Sequence, residues 1–191
     1  MKPRIYVTRT LPQAGLDLLA SEYDVEVNPH DRVATREELL AGIKGKDALL
    51  SLLTETIDAE IMDAEPRLKV IANYAVGFNN IDVAAATERG ILVTNTPGVL
   101  TETTADLAFA LLMACARRVV EADGFMRAGR YEGWAPMLFL GRDVHGKTLG
   151  LVGFGRIGQA MAQRGRGFNM KILYNDATRA PEELEKAYNA E

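Results

Sequence analysis

Short runs of β-branched and aliphatic residues recur through the first half of the chain, at residues 5–7, 25–27, 48–52, 70–72 and 91–93. Their starts lie 20, 23, 22 and 21 residues apart. Between them, residues 14–21, 36–43 and 83–89 carry helical patterns. Strands alternating with helices at this spacing predict βα units and a parallel sheet. No sequence repeat underlies the period. Gly90 stands where a helix C′ residue needs positive φ, and Gly45 plays a similar part before the third strand. Thr35 ahead of Arg36-Glu37-Glu38 reads as an N-cap with an acidic first turn.

Pro97-Gly98 closes the fifth strand. A long apolar helix is predicted from 101–104 to about 120, with Thr103 and Asp106 spaced as a capping box. Leu107, Leu111 and Ala114 repeat on one face and the polar face is thin. The helix is therefore expected to be buried nearly all round, as one between two domains would be. Residues 121–146 read as irregular and rich in Gly and aromatics, with Phe125, Tyr131, Trp134 and Phe139. A new strand–turn–helix starts at Thr148. These features divide the chain into residues 1–100 and 101–191.

Composition narrows the picture. The 191 residues allow one domain or two small ones. A net charge of −4 argues against sequence-independent nucleic-acid binding. Cys115 is the single cysteine, which excludes an intrachain disulfide and favours a reducing compartment. In its apolar helix the thiol reads as packing. His30 and His145 are too far apart, and too isolated from soft ligands, to suggest zinc. Arg9 and Pro12 interrupt any signal-peptide core. The longest apolar run, 107–116, is half of the ~20 residues a membrane span needs. A cytoplasmic protein without membrane or nucleic-acid partners is expected. No G-x-S-x-G elbow points to a hydrolase.

The chemistry sits after residue 148. A strand at 148–152 runs into Gly153-Phe154-Gly155-Arg156-Ile157-Gly158, a helix follows, and a second strand at 170–174 leads to Asp176, 18 residues beyond the last glycine. That context makes the G-x-G-x-x-G a dinucleotide fingerprint. Gly153 permits the tight turn, Gly155 lets backbone approach a pyrophosphate, and Gly158 lets the helix pack closely. The helix N-terminus then offers N–H groups and a positive dipole end to phosphate. Asp176 can accept from the adenosine ribose hydroxyls and would repel a 2′-phosphate, favouring NAD. Arg179, three residues on, keeps NADP open.

With this fingerprint in view, the whole chain resembles the D-2-hydroxyacid dehydrogenases, in particular their glyoxylate/hydroxypyruvate reductase branch. The resemblance is carried by Asn73-Tyr74-Ala75-Val76-Gly77-Phe78-Asn79-Asn80-Ile81-Asp82, by Val93-Thr94-Asn95-Thr96-Pro97-Gly98-Val99, by Thr104-Ala105-Asp106-Leu107-Ala108, and by Gly146-Lys147-Thr148-Leu149-Gly150 leading into the glycine turn. It implies an α/β protein. A flavodoxin-like substrate domain (1–100) is followed by the first part of an NAD-binding Rossmann domain (101–191). It implies NAD(P)H-dependent reduction of a small 2-oxo acid such as glyoxylate or hydroxypyruvate to the 2-hydroxy acid, and a homodimer for the complete enzyme.

By the same resemblance the Val76 and Gly77 amides receive the substrate carboxylate and Leu52 borders the pocket. Phe154, Gly155, Arg156 and Ile157 cradle the pyrophosphate, and Thr104 lies near the nicotinamide. Read from the residues alone, Gly77 is either an anion-approach glycine or a plain turn. Asn79 and Asn80 read as turn and N-cap residues rather than catalysts. Trp134, Met137, Leu138 and Phe139 line the substrate pocket or pack an arm against a second subunit. His145 reads as a surface histidine.

Hydride transfer also needs a proton donor and a cation for the carboxylate. In the family these are a His–Glu pair and an Arg, expected beyond residue 191. From Thr148 only 44 residues remain, whereas a full dinucleotide fold has two βαβαβ halves. The chain is thus expected to be a truncated form without catalytic residues and without turnover of its own. The alternative is a non-catalytic nucleotide-binding or subunit-interaction module.

Overall fold

The computed structural model describes residues 2–191, which fall into two compact units divided between Pro97 and Gly98. The first unit alternates strands and helices: β1 (Arg4–Val7), α1 (Gln13–Glu22), β2 (Asp24–Val27), α2 (Arg36–Gly42), β3 (Ala48–Ser51), α3 (Ala59–Asp63), β4 (Val70–Asn73), α4 (Val83–Glu88) and β5 (Leu92–Thr94). The strands form one parallel sheet ordered β2-β1-β3-β4-β5.

Alternation along each strand sorts the core onto two faces. Tyr6, Leu49 and Ile71 meet Leu39, Ile43, Ile61, Met62, Ala85 and Ala86 from the α2, α3 and α4 segments. Ile5 and Val7 point the other way, to Leu11 and to Leu16 and Leu19 of α1. The caps follow the sequence. Thr35 and Glu38 make a reciprocal capping box, and Gly45 and Gly90 have φ of 70° and 66°. With five residues, α3 is too short to display a helical period.

The second unit holds α5 (Thr101–Arg117), α6 (Val119–Arg127), β6 (Thr148–Val152), α7 (Arg156–Gly167), β7 (Lys171–Asn175) and α8 (Glu182–Tyr188). β6 and β7 pair in parallel, from Thr148↔Lys171 to Val152↔Asn175. α8 stops at Tyr188, because Asn189 turns left-handed. Ala190-Glu191 then lie along β7, with the Glu191 N–H donating to the Ile172 carbonyl.

The long apolar helix departs from expectation in three ways. Arg118 is left-handed (φ 55°), so the helix breaks there and a second helix, α6, occupies the start of the segment read as irregular. Leu100 is the N-cap, and Asp106 bonds Arg164 of α7 instead of closing a box with Thr103. Burial is one-sided. Ala105 and Phe109 pack with Ala160 and Met161 of α7, while Leu107 and Leu111 are 62% and 57% exposed. Leu107 lies two residues from Ala105, about 200° round the helix, so both cannot face α7. Cys115, expected to pack, is exposed.

Leu49 is fully buried and Leu18 is 71% exposed. Leu49→Ala is expected to cost about 3 kcal/mol, and Leu18→Ala less than about 0.5 kcal/mol. Urea unfolding of the two variants checks this.

Candidate functional site

Ligands of open parallel sheets bind outside the carboxyl ends of the strands, where strand order reverses. In the first unit that point lies between β1 and β3, and it is filled. Thr8 Oγ1 donates to Glu55 Oε2 at 3.1 Å, the Leu52 N–H donates to the same oxygen at 2.9 Å, and Thr54 Oγ1 donates to Oε1 at 2.7 Å. Glu55 is buried, so this carboxylate fixes the turn after β3 that carries Leu52.

One strand over, two asparagines lock the turn after β3 to the turn after β4. Asn73 accepts from Ser51 Oγ at 3.0 Å and donates to the Gly77 carbonyl at 2.8 Å and to Asn80 Oδ1 at 3.1 Å. Asn80 donates to the Leu52 and Glu55 carbonyls at 2.9 and 3.0 Å. Each amide uses both its hydrogens, so both turns are held by directional bonds.

These bonds set which way the backbone faces. The Ala75 carbonyl accepts the Thr96 N–H at 2.8 Å, the Val76 carbonyl accepts Asn95 Nδ2 at 2.7 Å, and the Gly77 carbonyl accepts Asn73 Nδ2. In a planar trans peptide the N–H points opposite to its carbonyl. The N–H groups of Val76, Gly77 and Phe78 are therefore turned away from those partners. No acceptor among the described residues takes them. Three successive unpaired donors form a cradle for an anion such as a carboxylate.

The second unit supplies an array of a different kind. Gly153 ends β6 with φ 97°, a value side chains rarely adopt. A Cβ on Gly158 would collide with the Gly153 carbonyl oxygen, so α7 approaches the turn as only glycine allows. A Cβ on Gly155 would meet nothing within 4 Å, so the space in front of the turn is open. The N–H groups of Gly155, Arg156, Ile157 and Gly158 have no acceptor among the described residues, and the first helical bond is Gln159 N–H to the Gly155 carbonyl. Such a helix start binds phosphate through its free donors and its dipole. A pyrophosphate fits this turn.

Phe154 behaves differently from its neighbours. Its ring is buried, stacks on Tyr174 at 4.4 Å and meets the edge of Tyr188. Its N–H donates to Asp176 Oδ2 at 2.6 Å. The free amides therefore begin at Gly155, one residue later than the resemblance implies. The bonds from the Phe154 and Ala177 backbones hold the Asp176 carboxyl below its usual range. The carboxylate lone pairs not facing Phe154 can still accept from a sugar hydroxyl.

Beyond Asp176 lies a cavity of about 440 Å³, lined by Tyr174, Asp176, Arg179, Glu185 and Glu191 among others. Arg179 makes a bidentate pair with Glu185, both bonds at 2.9 Å. Tyr174 donates to Glu185 at 2.6 Å and accepts the Ala180 N–H at 2.9 Å. Arg179, then Tyr174, draw the Glu185 carboxyl down to about 2.

A profile of D-isomer specific 2-hydroxyacid dehydrogenase, catalytic domain, matches residues 5–190. The chain belongs to this family. A glyoxylate reductase of Thermococcus gammatolerans is 53% identical over 190 residues, covering 97% of this chain and 57% of the relative. Two solved structures superpose well. The TT0316 protein of Thermus thermophilus is 49% identical with a TM-score of 0.86, over 96% of this chain and 61% of that one. A glyoxylate reductase from Paecilomyes thermophila is 31% identical with a TM-score of 0.78, over 99% and 59%. The chain spans less than two thirds of the length of the relatives it matches.

Within this family frame, the structure gathers Leu52, Val76 and Gly77 at adjoining turns, and Gly153 to Gly158 with Asp176 at another. Thr104 is exposed on α5, next to the buried Ala105. Asn79 and Asn80 occupy the centre of the turn closed by the Ile81 N–H to the Phe78 carbonyl, as read, but neither is the cap. Asn80 ties two turns together, and Asp82 is the N-cap of α4. The Phe78 amide and Asn95 complete the cradle and lie in the segments that carry the resemblance, though neither is singled out there; Glu55, which holds the Leu52 turn, lies in no such segment. His145 is exposed beside Asn169. Among the described residues, no helix is long and apolar enough to cross a membrane.

The Glu185 carboxyl sits below its ordinary 4.5. The stabilisation it supplies is present above about pH 4.5 and is lost as pH falls through about 2. Glu185→Gln is expected to flatten this part of the acid-unfolding profile, measured as urea midpoints across that range.

Proposed function

We propose that this chain provides the carboxylate cradle and the dinucleotide turn of a D-2-hydroxyacid dehydrogenase acting on glyoxylate, hydroxypyruvate or a similar small 2-oxo acid. Two arrays of unpaired backbone N–H groups in one member of this family carry the reading. The name of the close relatives supports glyoxylate.

The Val76 and Gly77 amides, with Phe78 beside them, hold the substrate carboxylate, and Leu52 walls the same turn. Because their carbonyls are clamped, the donors are already oriented and little reorganisation accompanies binding. Gly155, Arg156 and Ile157 take the pyrophosphate. Asp176 takes the adenosine ribose hydroxyls and disfavours a 2′-phosphate, which points to NAD rather than NADP. Thr104 is assigned to the nicotinamide end. The bound reduced dinucleotide supplies the hydride. Neither array contains a proton donor for the carbonyl oxygen, which the reduction also needs. The cofactor domain is assigned to 101–191 in this reading, close to the division between the two compact units after Pro97. Pairing with a second copy is supported by the exposed Leu107, Leu111, Trp134 and Met137. A cytoplasmic location is consistent with the single cysteine.

Gly155→Val separates ligand binding from folding, because the added side chain enters open space. It is expected to weaken NADH binding at least tenfold (about 1.4 kcal/mol) with the melting temperature unchanged. Fluorescence titration and thermal melts read the two quantities, and unchanged NADH affinity would sink the dinucleotide assignment. For the cradle, glyoxylate is expected to move the amide resonances of Val76 and Gly77 most among backbone signals. Shifts confined to other residues would remove these amides from the substrate site.

A further inference from the structure

The cavity beside Asp176 contains a guanidinium well suited to phosphate, yet that group is engaged elsewhere. Resting on the dinucleotide reading above, we propose that Glu185 is a specificity-determining residue. By holding Arg179 in a bidentate pair, it keeps the guanidinium from the 2′-position of the adenosine ribose and so favours NAD over its 2′-phosphorylated form.

Four observations converge on this. Asp176, assigned to the ribose hydroxyls, and Arg179 line one cavity, so a phosphate on that ribose would come within reach of Arg179. Arg179 is 83% exposed, and apart from Tyr174 beside the pair its charge is engaged by Glu185 alone. A released arginine fork would match a phosphate bidentately. Glu185 cannot swing aside easily. Its side chain is largely buried, and Tyr174, stacked on Phe154, bonds the same oxygen that receives Arg179 Nε. Asp176 is influenced by backbone N–H groups, with no arginine contributing. The positive charge of Arg179 is thus directed at α8 and away from the ribose acid.

The arrangement has a definite energetic sense. Freeing Arg179 for a 2′-phosphate would leave a largely buried carboxylate without its cation and close to the incoming anion. Asp176 adds a second repulsion. The two effects are separable, because Glu185→Gln removes the clamp and leaves Asp176 in place. The glutamine oxygen still accepts from Tyr174.

The test is fluorescence titration of the full chain with NADH and with NADPH. Glu185→Gln is expected to raise the NADPH-to-NADH affinity ratio about tenfold, the size of one charge-assisted hydrogen bond. The Glu185→Gln/Arg179→Ala double variant is expected to lose that gain. Glu185→Asp, too short to reach Tyr174 and Arg179 together, is expected to shift the ratio the same way by less, and serves if the glutamine variant melts early. An unchanged ratio in both single variants, or a gain that survives loss of Arg179, overturns the role of Glu185 while NADH binding by the parent chain still stands. A folded parent chain that binds neither dinucleotide overturns the underlying reading as well.

Discussion

A peptide group is flat, and its N–H and carbonyl point in opposite directions. At the carboxyl edge of a parallel sheet, fixing one therefore aims the other. The first unit uses this three times in succession. Thr96, Asn95 and Asn73 hold the carbonyls of Ala75, Val76 and Gly77, and the following N–H groups are left facing away. On the proposed reading, anion recognition there needs no cation on the cradle itself. It depends on three acceptors being held by donors that come from β4 and from the segment after β5. Asn73 and Asn80 are the central members, since they also hold the turn bearing Leu52 against the turn bearing Gly77.

The second unit reaches the same outcome by a different route. A helix start leaves its first N–H groups unpaired whatever its sequence, so nothing need clamp their carbonyls. What must be arranged is access. Gly153 supplies the turn, Gly158 lets α7 come down on it, and Gly155 leaves the approach open. Asp176 reaches across from the end of β7 to the Phe154 amide and marks where the unpaired donors begin. Both arrays are neutral backbone. Charges lie at their margins: the buried Glu55 carboxylate at the Leu52 turn of the first unit, and Asp176, Arg179 and Glu185 in the second.

The glycine turn was legible in the sequence because its parts are local. Six residues, one strand and one helix suffice to define it, and each glycine's task is a backbone task. The five strands of the first unit were legible for the same reason. The cradle's supports were not. Asn80 bonds carbonyls 25 and 28 residues away, and Glu55 bonds Thr8 from 47 away. No short-range pattern encodes such ties, and an isolated Asn near a turn carries the ordinary turn signal. The apolar helix failed in the other direction. Leu107, Leu111 and Ala114 form a genuine helical stripe, but a stripe does not say which face packs. Small Ala105 and Ala108 permit the close approach to α7 that larger residues would prevent. Helix length was misjudged because the left-handed turn at Arg118 falls on a residue with no glycine to announce it.

The placement of charge at the margins has a consequence for discrimination. An array of backbone donors recognises an anion by geometry and does so alike for a bare or a 2′-phosphorylated dinucleotide, whose pyrophosphates are identical. Selectivity between them must come from groups near the ribose, and these are side chains whose mutual pairing decides what remains free. A bidentate arginine–carboxylate pair is fixed in direction as well as in charge, so Arg179 bound to Glu185 does not serve as a freely orienting cation. On the proposed reading, the order β7, Asp176, Arg179, α8 links cofactor selectivity to how α8 packs: Tyr174 positions Glu185, Glu185 positions Arg179, and the ribose would meet Asp176.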